Sequence, residues 1–516
     1  MEYIVPYAPF IIPAARMLSI SHVNPVADIE MKILRLLLAI VAIVSFTPVV
    51  QGEEGVSERA RIELALRDYA KLMCSAVFIS ARDLAEAERD SGPLVTEDIG
   101  SSYSVFTEAD RAAAHVHIDR KRKVVTTSFR DFAPGVARFH GDQGCVILPP
   151  GVENAFFTPK KVSTRLPPAN VESWPMGDVT PKQPLPDGID PVKLHSVVDQ
   201  VFSDPAGQTV AFVVVYKGQI VAERYRHGAN RDTLIEGWSM GKSLLAALIG
   251  MLIKDGEFGL YDPAPVPEWQ RPSDPRSKIR IADLLRMSGG LHFTAPRDPD
   301  FSPDVFPDHL YVYNGAVNIF EFAYARPLQF PPNTEGRYRN CDPLTLGFIL
   351  QQTVKKRGED YFSFPQRALL DRIGIRRMVL ETDPYGNMFF TGNNYTTARN
   401  WARLGLLYLQ DGVWSGERIL PEGFVDFVRT PAPAWKQPIY GGLFWLNATG
   451  QWNLPKDAYY MSGEGGKVFI VPSLDLVVVR MGHEGGQEIG LKQLNVALGE
   501  LAAILKPSDS RSEPPK

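Results

Sequence analysis

Between Ser239 and Asp255 the chain reads SMGKSLLAALIGMLIKD, with Gly256 just past the end. This has the composition of a strong helix with a glycine stop. A helix that is apolar on every side has no face to give to water, so it must lie at the centre of a domain, covered all round. What flanks it says what covers it. A helical pattern spans Pro191 to Phe202, and two β-rich runs, Thr209–Tyr216 and Gln219–Tyr225, flank Lys217-Gly218 as a hairpin. A long, mostly helical stretch then runs to about residue 430. Strand patterns return at Tyr440–Asn447, Lys467–Val471 and Leu476–Met481, the last two joined by a Pro-Ser-Leu-Asp turn, before an amphipathic helix from Ile489 to Leu505. Strands at both ends with helices inserted between them predict class α+β: one antiparallel sheet built from both ends of the domain and flanked by helices.

The N-terminal part has a different character. From Met31 the chain reads MKILRLLLAIVAIVSFTPVVQG: two cations, an apolar run, then Pro48 and Gly52. That is the layout of a signal peptide over residues 31–52, and its apolar core is short for a membrane span, which needs about 20 residues. Residues 1–30 read as a leader that is not part of the native protein, with translation starting at Met31. The expected location is periplasmic or secreted, membrane-anchored if the signal stays uncleaved. Residues 53–156 read as a small α+β region, with helical spacing from Ser57 to Leu72 and a hairpin of Val116–Asp119 with Lys123–Phe129. Residues 157–190 hold Pro159, Pro167, Pro168, Pro175, Pro181, Pro184 and Pro186 and read as a covering linker. The large domain spans 191–507, and 508–516 is a disordered tail.

Outside the cytosol an even pair of cysteines tends to be oxidised. Cys74 and Cys145 share the N-terminal region and are the expected disulfide, while Cys341 is expected as a buried free thiol. No cysteine has CxxC or histidine spacing, so neither a metal nor another cofactor is expected. A net charge of −4 offers nucleic acid no electrostatic footing.

Three elements carry chemistry. Ser239 and Lys242 stand at i and i+3, on one face of the central helix. A serine hydroxyl needs a base within hydrogen-bond reach, and lysine serves only when neutral, which burial favours. Tyr338-Arg339-Asn340, in GRYRNCDPLTLGFIL, is a polar turn leading straight into an apolar helix. Ser462-Gly463-Glu464-Gly465-Gly466-Lys467 is a glycine-rich entry to the strand VFIV, where a substrate can lie against the backbone. Tyr311 and Tyr313, in a loop before Tyr338, are candidates to line a pocket or to pack the loop.

SxxK, YxN and a glycine-rich strand, in that order, resemble the penicillin-recognising serine hydrolases: class C β-lactamases, D,D-peptidases and related esterases. YRNCDPLTLG, TARNWARLGLLYLQDGVWSGERILP and SGEGGKVFIVPSLDLVVV look most like the 6-aminohexanoate-dimer hydrolase branch. The resemblance covers roughly Asp190 to Leu505. It implies a β-lactamase/transpeptidase-like fold and an acyl-enzyme on a small amide or ester, with Ser239 as nucleophile, Lys242 as base and Tyr338 as proton relay. It further implies that Asn340, Gly465 and Lys467 meet substrate and that the N–H groups of Ser239 and Lys467 form the oxyanion hole. The sequence departs from the family at Glu464, where β-lactam-binding members carry a cation. A carboxylate there disfavours anionic substrates unless Lys467 neutralises it.

Two other readings compete. Gly237-Trp238-Ser239-Met240-Gly241 is a literal GxSxG, which in an α/β-hydrolase would use His483. A non-catalytic sensor or structural protein would keep the fold without turnover. Nothing in the sequence specifies an oligomeric state.

Overall fold

In the computed structural model of this chain, which describes residues 56–95, 105–181, 183–302 and 304–505, the first element is α1 (Glu58–Phe78). The expected leader, signal peptide and C-terminal tail lie outside the described residues. Ser57 starts α1 by accepting from the Ala60 N–H, which satisfies one of the donors a helix start leaves open. The helix covers an antiparallel meander of β1 (His115–Asp119), β2 (Val124–Ser128), β3 (Gly135–Phe139) and β4 (Cys145–Ile147). The core between them is small, and Leu66, Met73, Cys74, Phe106, Val125, Ala137 and Cys145 are among its most enclosed members. Helix and sheet come close enough that a Cβ on Gly135 would stand 2.1 Å from the Leu66 carbonyl. Cys74 and Cys145 are joined as a disulfide that closes a separation of 71 residues, and Cys341 is a buried free thiol.

The proline-rich segment 157–190 is a strap laid on the large domain. An irregular chain leaves its carbonyls without ladder partners, and here arginines supply the donors. Arg403 donates to the Pro175 and Gly177 carbonyls, both at 2.6 Å, Arg399 to Asp178 O at 2.7 Å, and Arg376 to Met176 O at 2.6 Å.

In the large domain α2 (Pro191–Val201) leads to β5 (Thr209–Tyr216) and β6 (Gln219–Tyr225). Then come α3 (Gly241–Lys254), α4 (Cys341–Lys356) and α5 (Ala398–Leu409). The end of the chain contributes β7 (Trp445–Leu446), β8 (Tyr459–Ser462), β9 (Lys467–Val471), β10 (Leu476–Gly482) and α6 (Gln487–Ile504). The sheet order is β7-β8-β9-β10-β5-β6, antiparallel throughout, so β5 from one end of the domain pairs with β10 from the other. This is the expected α+β, β-lactamase/transpeptidase-like architecture. Period-two alternation sends Val213, Val215, Val477 and Val479 to the face under α3 and α5. The other parity, Phe212, Val214, Leu476 and Val478, goes to the face under α2 and α6. Every residue of α3 from Gly241 to Leu252 is buried, as its composition requires.

The stretch before residue 430 is less helical than its pattern suggested. The run ETDPYGNMFFTGNN contains Pro384, Gly386 and Gly392, which break a helix, and it folds instead as a loop beside a small sheet. That sheet pairs Asn394–Thr396 with Ile235–Glu236 on one side and Val379–Leu380 on the other. The expected strand Tyr440–Asn447 shortens to β7 because Gly441, Gly442 and Leu443, the last at φ +60°, turn the chain first.

Candidate active site

Ser239 lies in a short 3-10 turn, Trp238–Met240, that feeds α3. Trp238 stands in the left-handed region at φ +47°, an uncommon conformation for a bulky side chain that must be held by its surroundings. Asn394 does the holding: its side chain donates to Trp238 O at 2.6 Å, and its carbonyl accepts from the Gly237 N–H at 2.8 Å. A Cβ on Gly237 would collide with Asn394 and Trp401 at 2.4 Å, so this turn requires glycine.

Lys242, one turn on, brings Nζ to 2.8 Å from Ser239 Oγ. Both groups also donate to one backbone carbonyl, that of Thr391, at 3.3 Å from Nζ and 3.2 Å from Oγ. Lys242 is 1% exposed, and burial brings its ammonium down to about 7 against a smaller upward pull from Glu464. Near neutral pH a substantial fraction of this amine therefore has a free lone pair beside the hydroxyl, as general-base chemistry needs.

Tyr338 precedes α4 and hydrogen-bonds Ser239, and Lys242 Nζ stands 4.8 Å from its ring centroid. Burial pushes its phenol well above the ordinary range, so the group stays a neutral donor. Trp445, Tyr440 and His309 box the ring, with centroids at 5.1, 5.8 and 6.0 Å. Burial and the nearby Lys242 hold the His309 imidazole down at about 3, so it too is neutral. Asn340 is fully buried and donates to Tyr313 OH at 3.1 Å and to the His309 carbonyl at 3.3 Å. Tyr313 in turn donates to Thr391 O at 2.9 Å. Arg339, between the two motif residues, turns away to Asp298 and the Leu291 carbonyl.

The glycine-rich segment is a turn between β8 and β9. A Cβ on Gly463 would stand 2.1 Å from the Gly237 carbonyl, so the turn touches the serine segment. Glu464 is half-buried, and its charge acts on Lys242, Tyr313 and Tyr338 together. Gly465, at φ +72°, donates its N–H to Gln487, and its carbonyl accepts from Arg480. Lys467 opens β9, an interior strand paired with both β8 and β10, and its Nζ folds back onto the Gly463 and Gly466 carbonyls at 2.8 and 3.2 Å. Its backbone is paired within the sheet on both sides, which sets the expected oxyanion role beside that of the turn preceding it. Tyr311 packs its ring on Phe322, 5.4 Å away, rather than joining Tyr313.

The sequence signalled Ser239, Lys242, Tyr338, Asn340, Tyr313 and Glu464, and all of them meet here. It did not signal the Thr391 carbonyl, which any residue could supply. Nor did it signal His309, Tyr440 and Trp445, which lie outside all three motifs. The GxSxG alternative fails on architecture: the sheet is antiparallel, and His483 Nε2 is taken by Arg226 at 3.2 Å. Arg226 also bonds Asp90, at 3.0 Å, and Glu86, so this guanidinium fills the one acid-and-histidine cluster among the described residues with metal-like spacing.

Residues 198–492 match the beta-lactamase family model. Over 245 residues the chain is 27% identical to the 6-aminohexanoate-dimer hydrolase of Paenarthrobacter ureafaciens, covering 43% of this chain and 57% of that protein. The chain thus spans little more than half the length of that curated relative. Among solved structures, a penicillin-binding protein homologue from Caulobacter crescentus is similar at 16% identity, covering 62% of this chain and 98% of that one, with a TM-score of 0.48. A beta-lactamase from Mycobacterium bovis is similar at 15% identity, covering 59% and 99%, with a TM-score of 0.43.

Proposed function

The chain belongs to the beta-lactamase family, and from that premise we propose that it is an exported serine hydrolase cleaving small amides or esters through an acyl-enzyme on Ser239. The observation that carries this reading is the 2.8 Å approach of a buried lysine amine, brought to about 7, to the serine hydroxyl. Lowering a lysine by roughly three units costs about 4 kcal/mol, a cost that a lysine with only a structural role has no reason to bear.

In the proposed reaction the Ser239 hydroxyl gives its proton to Lys242 Nζ as Oγ attacks the acyl carbon. The Tyr338 phenol, neutral by burial, donates to the departing amine or alkoxide and is reprotonated from Lys242. Water then attacks the acyl-enzyme with the proton moves reversed. The oxyanion is held by the Ser239 N–H and a second donor in the Gly463–Gly466 turn. The N–H groups of Gly463, Gly465 and Gly466 are bonded to Gly466 O, Gln487 and Gly463 O, which among the described bonds leaves the N–H of Glu464. Asn340 and Tyr313 support the geometry around Thr391 O. Glu464 favours neutral or cationic substrates over anionic ones, because a second carboxylate would meet it in a low-dielectric cleft. The disulfide supports export, since such bonds persist outside the cytosol.

A fluorophosphonate probe tests this directly. It should label Ser239 in the wild type and fail with Ser239→Ala and Lys242→Ala, while His483→Ala labels normally. Labelling that survives Lys242→Ala, or modification of another residue, would contradict the reading.

A further inference from the structure

Glu381 is 0% exposed, and among the described residues the hydrogen-bond and ion-pair partners of its carboxylate all belong to the N-terminal region. Lys71 pairs with Oε2, Ser75 Oγ donates to both oxygens at 2.9 and 3.1 Å, and the Cys145 N–H donates to Oε1 at 2.6 Å. Lys71 and Ser75 lie on α1 on either side of Cys74, and Cys145 is the other half of the disulfide. The covalent bond therefore ties together the two chain segments that grip the carboxylate. The grip leaves no slack: a Cβ on Gly144, at φ +71°, would stand 2.4 Å from Glu381 Cγ.

The main chain of Glu381 is bonded instead to the segment that carries Thr391. Its carbonyl accepts from the Phe389 N–H at 2.9 Å, and its N–H donates to Asn393 O at 3.0 Å. These two bonds close both ends of the segment 389–393, whose middle residue is Thr391. The Thr391 carbonyl is where Ser239 Oγ, Lys242 Nζ and Tyr313 OH all donate. One residue thus carries the N-terminal region's hold on its side chain and the reacting groups' acceptor on its backbone.

We propose that the disulfide-closed N-terminal region is a positioning element of the hydrolytic site, acting through Glu381 on the Thr391 carbonyl; this rests on the roles assigned above to Ser239 and Lys242. Glu381, Lys71 and Ser75 are positioning residues: none of them touches substrate. The acceptor fixes where nucleophile and base meet, so loosening it slows acylation and leaves substrate binding as it was.

The test uses the full chain with p-nitrophenyl butyrate as substrate and a fluorophosphonate to count active sites. Glu381→Gln should lower kcat per titrated site about 10- to 100-fold, the scale at which small displacements of reacting groups act. Ser75→Ala, which removes one neutral donor and should fold, should lower it roughly 3- to 10-fold by the same effect. KM should stay within about twofold in both, because the acceptor meets nucleophile and base rather than substrate. Variants that melt earlier but keep the wild-type kcat per site would overturn the proposal and make the region a purely structural appendage. If Glu381→Gln does not fold, Ser75→Ala decides alone. A wild-type protein that does not label at Ser239 removes the hydrolase reading and this proposal with it. A labelled, active wild type with unchanged variants removes only this proposal.

Discussion

The large domain and the N-terminal region are held together by different physics. The large domain buries both faces of a six-stranded sheet under helices and encloses α3 from Gly241 to Leu252. The N-terminal region has one helix on one face of a four-stranded sheet and a far smaller apolar cluster. Apolar burial stabilises roughly in proportion to area, so the smaller unit needs other anchors. It has a disulfide, the buried Lys71–Glu381 pair, and Arg226 reaching across to Glu86 and Asp90. The proposed nucleophile and base, Ser239 and Lys242, therefore stand on the part with most to spare, while the carbonyl proposed to align them is tied through Glu381 to the part with least.

Substitutions at the reacting groups should separate catalysis from stability most sharply. Ser239→Ala and Lys242→Ala should each lower kcat by about 10⁴-fold or more, and the double variant should lose little beyond either, since residues acting as one unit are not additive. Tyr338→Phe should cost about 10²- to 10³-fold, the usual scale for a proton donor. None of the three should unfold the sheet, so circular dichroism should stay native. Lys242→Met should even raise Tm. The Lys242 amine falls from 10.5 to about 7 on folding, so between those values the unfolded chain holds a proton that the folded one lacks. In that window this group lowers stability as pH falls, and an apolar side chain removes the effect.

At the anchors, stability is expected to fall as well. Replacing Cys74 and Cys145 by serine should cost about 2–4 kcal/mol. Hydrogen exchange should show α1 and β1–β4 opening while β5, β9 and β10 stay protected. Uniform loss of protection across both parts would mean that they unfold as one unit and that the contrast drawn between them is wrong.

The smallest expected effect is at Glu464. Glu464→Gln removes the upward pull on Lys242, so the acid limb of kcat/KM should move to lower pH. Glu464→Lys should raise kcat/KM for carboxylate-bearing esters over neutral ones by roughly 10-fold, through replacement of repulsion by attraction. An unchanged ratio would take Glu464 out of the specificity account.

What the sequence made legible follows the same division. β5 and β9 match their expected ranges because two-sided burial writes a nearly continuous apolar run, and β6, a half-exposed edge strand, matches as the second arm of the hairpin around Lys217-Gly218. α3 was readable from composition, although its first turn is 3-10 and places Ser239 just outside the regular helix. β8 escaped notice, since Tyr459–Ser462 is short and has no alternation against polar residues. The Ser239–Lys242 pair was visible because both partners sit within one turn. The hold on Thr391 was not: Lys71 and Glu381 are distant in sequence, and a backbone carbonyl has no letter of its own. Reading a motif finds candidate reacting groups, and only the fold shows what surrounds and holds them.

The central claim is that Lys242 is the base and works because burial brings it to about 7. The direct measurement is the rate of fluorophosphonate labelling of Ser239 in the wild type against pH from 5 to 10. A single rise with its midpoint at about 7, displaced to lower pH in Glu464→Gln, is the predicted result. A midpoint near the ordinary lysine value, or a profile that rises through the carboxylate range and is unmoved by Glu464→Gln, would contradict it.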